Sequence, residues 1–159
     1  MSTRKAFEKF MENNIDNAYR FAYTFAKNKP DAEDILSESA IKALKAIKTL
    51  KDEKYLKGWF YKIITNTAIT YINRSKKVVS VDFSQCEEIS HNDETNFEFF
   101  DILKDLTIQD RSIIVLKILE NMKFYEIAEI LKLNESTVKT RYYKALKTLK
   151  IDLEGEIYG

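Results

Sequence analysis

Chain breakers are scarce in this sequence. Its 159 residues include three Gly and one Pro, and little β-branched alternation, a combination that points to helices and leaves no glycine-rich loop to cradle a phosphate. A single Cys excludes an intrachain disulfide and a cysteine metal cluster. Cys86 and the lone His91 both fall in a polar stretch, and no paired carboxylates or nucleophile–base set accompany them, so no catalysis and no cofactor are expected. No segment approaches the ~20 apolar residues that span a bilayer. The N-terminal MSTRKAFEKFMENN has no apolar h-region, so no secretory signal is expected, and a cytoplasmic location is. What remains is 45% hydrophobic and 32% charged, enough to fold as one all-α domain or two small ones.

The net charge of +1 hides an uneven distribution. Residues 1–77 carry +7, residues 78–103 carry −7 with no Lys or Arg, and residues 104–159 carry +1, of which 132–150 alone hold +5. Basic segments on either side of an acidic joint suggest two nucleic-acid-facing modules.

The most specific signal is NMKFYEIAEILKLNESTVKTRYYKALKTLK, residues 121–150. A short helix over 124–131 presents Ile127, Ala128, Ile130 and Leu131. A break follows at Lys132-Leu133-Asn134, with Asn134 placed to cap a second helix. That helix sets Val138, Tyr142, Ala145, Leu146 and Leu149 on one stripe. Ser136, Lys139, Thr140, Tyr143, Lys144 and Lys147 lie opposite. Two helices, a three-residue turn, a small Ala128 at the crossing and a one-sided basic face describe a helix-turn-helix, against the plainer reading of two surface helices with solvated lysines.

Upstream, residues 3–27 read as a helix, with a break near Asn13-Asn14, whose Phe7, Phe10, Met11, Ile15, Ala18, Tyr19, Ala22, Phe25 and Ala26 keep helical spacing. Pro30 opens a second helix to about residue 49, with Leu36, Ala40, Ala43, Leu44 and Ile47 as its buried stripe. Asp34, Ser37, Glu38, Ile41 and Lys45 lie on other faces. Taken alone, the acidic turn reads as capping, while an exposed Ile41 beside Glu38 hints at a partner surface. Residues 51–57 read as a loop, and Gly58 leads into a helix ending at Ser75-Lys76-Lys77. Phe60, Ile63, Ile64, Thr67, Ala68 and Tyr71 form its stripe. Its other side offers Tyr61, Lys62, Thr65, Asn66, Ile69, Asn73 and Arg74, a mixture suited to stacking on bases and holding phosphates of single-stranded DNA, although Trp59 and Tyr61 fit a core equally. Residues 78–95 read as an acidic linker. Thr95-Asn96-Phe97-Glu98 reads as a capping box opening a helix with Phe97, Phe100 and Leu103. Thr107 to Asp110 opens another that buries some combination of Ile113, Ile114, Leu116 and Leu119. The tail, residues 151–159, is acidic and is expected to fray at its end.

Both halves resemble one family. DAEDILSESAIKALKAI with GWFYKIITNTAITYINRSKK, and DRSIIVLKILENMKFYEIAEILKLNESTVKTRYYKALKTL, in this order and about 80 residues apart, resemble the extracytoplasmic-function sigma factors of bacterial RNA polymerase, within the sigma-70 superfamily. The resemblance implies two small helical domains joined by an acidic flexible linker: a region 2-like bundle (1–77), a linker (78–95) and a region 4-like helix-turn-helix domain (96–159). It implies a non-catalytic protein, monomeric when free, that binds core RNA polymerase through its clamp helices and flap and selects promoter DNA. An anti-sigma factor, commonly membrane-attached in the family, is the further partner implied.

Carried over by position, Asp34, Ser37, Glu38 and Ile41 match the polymerase-docking surface, although the family often has Gln at Ser37. Asn66 matches a residue that touches the −10 element, and the loop from Asp52 to Lys57 matches the segment that pockets a flipped-out base. With their neighbours, this makes Tyr55, Leu56, Trp59, Lys62, Asn66, Asn73 and Arg74 the expected −10 contacts. Ser136, Lys139, Thr140, Tyr143 and Lys144 are the expected −35 contacts. In the family pattern Arg141 faces Glu126 as an internal ion pair. Lys123 replaces a common Ser/Thr cap and Lys132 a common turn Gly. The rival expectation is a stand-alone helix-turn-helix regulator that binds duplex tightly without polymerase.

Overall fold

The computed structural model describes residues 2–77 and 100–158, with side chains over 2–74 and 100–150. The chain divides into two compact units, Met1–Asn92 and Asp93–Gly159. Every regular element among the described residues is helical. The acidic linker, the 95–98 capping box, Cys86 and His91 lie outside the described residues.

The first unit is built on three helices: α1 (Thr3–Ala26), α2 (Lys29–Ala46) and α3 (Leu56–Lys77). Ser2 starts α1 by accepting the Lys5 amide through its hydroxyl. No break occurs at Asn13-Asn14; the Asn14 side chain donates to the Phe10 carbonyl at 3.0 Å and the helix runs on. It ends at Lys27, which takes a left-handed φ of 63°. Asn28 then caps α2, accepting the Asp31 amide at 2.9 Å while its own amide donates to the Asp31 carboxylate at 2.8 Å. Pro30 sits in this first turn, where no amide hydrogen is needed.

The core of this unit is aromatic where the side chains are large and alanine where the helices approach. Phe7 and Phe60 meet edge to face at 5.2 Å, and Phe21 stacks on Tyr61 at 5.0 Å and 8°. Such pairs add about 0.5–1.5 kcal/mol to what burial alone contributes. Ala18, Ala22, Ala32, Ala43 and Ala68 are wholly buried. Buried hydroxyls are satisfied within their own helices: Thr24 donates to Arg20 O, Ser39 to Ile35 O and Thr65 to Tyr61 O. The buried stripe of α2 is Ala32, Ile35, Leu36, Ser39 and Ala43. Leu44, expected inside, is instead exposed, as is Ile15 of α1, while Phe21, outside the expected stripe, is wholly buried.

The second unit opens with helical residues 100–103, whose Leu103 is buried. Thr107 caps α4 (Ile108–Ile114) by accepting the Asp110 amide. The chain continues through one wide π-turn over Val115–Leu119, closed by the Glu120 amide on the Val115 carbonyl. Asn121, at φ 52°, stops it, and the Met122 amide reaches the Leu116 carbonyl. Then come α5 (Phe124–Leu131) and α6 (Glu135–Tyr158). The last helix runs to Tyr158. Ile113, Ile114, Leu116, Ile127, Ile130, Val138, Ala145 and Leu149 form an aliphatic core. Arg111 is buried with them, donating to the Leu106 carbonyl, and burial lowers its guanidinium pKa below the usual value.

Candidate nucleic-acid interface

The turn between α5 and α6 forms where the sequence pattern places it. Lys132 takes φ 58° and ψ 47°, and the Leu133 amide bonds the Ala128 carbonyl at 2.9 Å. This is a helix stop in which lysine occupies a left-handed position that costs an L residue about 1–2 kcal/mol relative to right-handed backbone. Lys123 has no side-chain oxygen to cap α5; the Glu126 carboxylate compensates in part by accepting the Lys123 amide at 3.0 Å. That use of Glu126 leaves a different partner for Arg141. Its guanidinium meets Asp110 at 3.0 Å, not Glu126 as the family pattern suggested, and so ties α6 to the first turn of α4.

Beyond this scaffold, Ser136, Lys139, Thr140, Tyr143 and Lys144 all face outward on α6. The Thr140 hydroxyl donates to the Ser136 carbonyl, which leaves its lone pairs directed away from the helix. Tyr143 is 61% exposed yet not isolated: Phe124, Tyr142 and Tyr143 form a three-ring cluster with centroids 5.2–6.1 Å apart. Lys117 lies 4.3 Å above the Phe124 ring and donates to the Met122 carbonyl, while Lys139 lies 5.9 Å from the same ring. Sequence reasoning missed this aromatic base, because Lys117, Phe124 and Tyr143 lie on three separate elements that only packing brings together.

On α3, Trp59, Lys62, Asn66, Ile69 and Asn73 share one stripe, with Asn66, Ile69 and Asn73 exposed and Trp59 and Lys62 half-buried. Tyr55, 60% exposed, ends a 3-10 turn over Glu53–Tyr55 that Asp52 caps through the Lys54 amide. Three residues expected on this outer side are not there. Leu56 is 4% exposed and closes the end of the core, so its side chain is not available to a nucleotide. Tyr61 is wholly buried against Phe21, and Thr65 is buried with its hydroxyl on the helix backbone. Arg74 is exposed but lies about 100° around the helix from Asn73.

On α2, Asp34, Ser37, Glu38 and Ile41 form a single outward stripe, with Ile41 54% exposed. Residues of α3 reach it. The Tyr71 phenol donates to Asp31 at 2.7 Å and Asp34 at 3.3 Å, and Arg74 pairs with Glu38 at 3.8 Å. Burial first, then Asp31, raises the phenol pKa, so Tyr71 remains a neutral donor. Among the described residues no cluster of His, Cys, Asp and Glu could hold a metal ion, and no helix is long and apolar enough to cross a membrane.

Two family descriptions match the chain: Sigma-70 region 2 over residues 10–78, and Sigma-70, region 4 over residues 97–149. The chain is 40% identical over 141 residues to RNA polymerase sigma factor SigV of Bacillus subtilis (strain 168), covering 87% of this chain and 85% of that relative. It is 28% identical to ECF RNA polymerase sigma factor SigW of the same organism, covering 93% and 89%. Its fold is similar to that of the sigma factor RpoE of Bartonella quintana, solved with the anti-sigma factor NepR (TM-score 0.76, 19% identity, 94% and 98% covered). It is also similar to CnrH, solved with the cytosolic domain of CnrY (TM-score 0.72, 19% identity, 96% and 90% covered).

Proposed function

This chain belongs to the extracytoplasmic-function branch of the sigma-70 family, factors that direct RNA polymerase to promoters, and we propose how its own surfaces divide that work. The family identity makes it a non-catalytic initiation factor: polymerase makes the RNA, and this chain selects where it starts. The observation that carries the residue assignments is the presence of separate outward faces on α2, α3 and α6.

The α6 face reads the duplex at the −35 element. Lys139 and Lys144 donate to guanine acceptors or phosphates, Ser136 and Thr140 offer hydroxyls, and Tyr143 presents a ring edge braced by Phe124 and Tyr142. The α3 stripe of Trp59, Lys62, Asn66 and Asn73, with Tyr55 beside it, holds the unpaired −10 strand. Extruding a base costs a few kcal/mol of stacking, and a pocket at the 52–57 turn recovers it, trapping the melted state. Asp34, Ser37, Glu38 and Ile41 dock on core polymerase, which supplies the spacing between the two promoter elements. The module boundaries that fit this division are 1–77 and 96–159, with 78–95 as the connection. RpoE and CnrH were each solved with a protein partner. An anti-sigma factor, soluble or membrane-attached, that covers the α2 stripe is part of this proposal.

The test is the pair Lys139→Glu and Lys144→Glu. Two base or phosphate contacts at about 1–3 kcal/mol each predict a loss of −35-dependent run-off transcription of roughly 30-fold or more, with core binding retained. Full transcription by the double variant refutes the α6 assignment. A gel shift with and without core enzyme separates this reading from a stand-alone regulator, which binds its duplex equally well in both.

A further inference from the structure

The pairing between α2 and α3 carries a consequence for how DNA binding waits on polymerase. Arg74 is the one cation expected on the −10 face that does not lie on the α3 stripe. Its Nη1 is 3.8 Å from Glu38 Oε1, on the stripe read as the polymerase-docking surface. Lys42 approaches the same oxygen at 3.9 Å. The two cations are held differently. Lys42 also donates to Thr67 of α3 at 3.3 Å, an anchor that does not depend on Glu38. The Arg74 side chain is 69% exposed, on the flank of α3 between Glu38 and the outward stripe.

From this geometry we infer that Arg74 is shared. In the free chain it holds Glu38, and it passes to the unpaired DNA strand when a cation of the polymerase takes over that carboxylate. The inference rests on the proposal that Glu38 docks on polymerase and α3 holds the strand. An exposed pair of this kind is weak, and weakness suits a contact that must be given up on docking. The helices need not move. Tyr71, one turn before Arg74, fixes α3 against Asp31 and Asp34 whether or not Glu38 is engaged. The arginine needs only to turn about its own side-chain bonds, and its planar fork then meets a phosphate. Docking thereby adds one phosphate ligand to the −10 face, and the free chain is short of one.

The experiment measures binding of a fluorescent single-stranded −10 oligonucleotide to the full chain without polymerase, for Glu38→Gln, Arg74→Ala and the double variant. Glu38→Gln is expected to bind about two- to fivefold more tightly than wild type, the worth of an exposed pair. Its salt dependence steepens by about 0.7 in the log–log slope, one phosphate on a single strand. In the double variant the gain disappears. A Glu38→Gln chain that binds like wild type overturns the exchange. So does a gain that persists without Arg74, since it then reflects only a lost negative charge or the release of Lys42. Affinity of Glu38→Gln for core polymerase is measured in parallel. If it falls while oligonucleotide binding is unchanged, docking stands and the exchange fails. If it equals wild type, the docking reading fails and takes this inference with it.

Discussion

The two units use their aromatic residues in opposite ways. In the first, Phe7, Phe21, Phe60 and Tyr61 fill the centre of a three-helix core. In the second, the centre is aliphatic, and Phe124, Tyr125, Tyr142 and Tyr143 gather at or near the surface beside α6. The largest ring clusters are therefore interior in one unit and superficial in the other, while Tyr55, 60% exposed, stands outside the first unit's core. What separates the cases is the company each ring keeps. Phe21 and Tyr61 face rings on other helices, whereas Tyr143 has one flank on Phe124 and Tyr142 and the other open.

The strongest way to break this contrast is Phe21→Ala. Loss of a wholly buried, stacked ring costs about 3–5 kcal/mol. Trp59, the single tryptophan, lies in the first unit, so its fluorescence should report unfolding at much lower denaturant. A circular-dichroism transition from the second unit should persist. One shared transition, shifted as a whole, would show that the units do not fold separately.

A smaller effect tests how the second unit is tied together without aromatic packing. A double-mutant cycle between Arg141→Ala and Asp110→Ala should return a coupling of about 1 kcal/mol, above an exposed pair and below a buried one. The same cycle against Glu126→Ala should return no coupling beyond the ~0.3–0.5 kcal/mol scatter of independent sites. A reversed result restores the ion pair that the family pattern suggested.

The smallest effect compares the units at their helix stops. Lys27 ends α1 and Lys132 ends α5, both at positive φ. Glycine relieves that strain but is looser in the unfolded chain, so Lys27→Gly and Lys132→Gly should each stabilise by about 0.5 kcal/mol. Thermal melts resolve this. Destabilisation at either site would mean that the lysine side chain contributes more than its backbone costs.

Much of this architecture was legible in the residues, and unevenly so. The helix-turn-helix was clear because its apolar stripe and its basic face fall on opposite sides of one helix, and because Leu131 and Asn134 bracket a short break. The α3 helix was harder. Its apolar, aromatic and hydroxyl residues wrap most of the circumference, so periodicity did not distinguish the buried Tyr61 and Thr65 from the exposed Asn66 and Asn73. A hydroxyl that bonds its own helix is at ease in a core, and composition does not register that. The pairings of Arg141 with Asp110 and of Tyr71 with Asp31 span 31 and 40 residues, and only packing brings such partners together.

The buried alanines of the first unit set its tolerance to change. Where three helices meet on methyl groups, there is no slack for a larger side chain: Ala→Val at position 18, 22 or 68 forces backbones apart at about 1–3 kcal/mol, while trimming a neighbour leaves a void. Substitution at these sites is thus limited by bulk as much as by polarity, and the smallest residues in the unit are ones it has little room to enlarge.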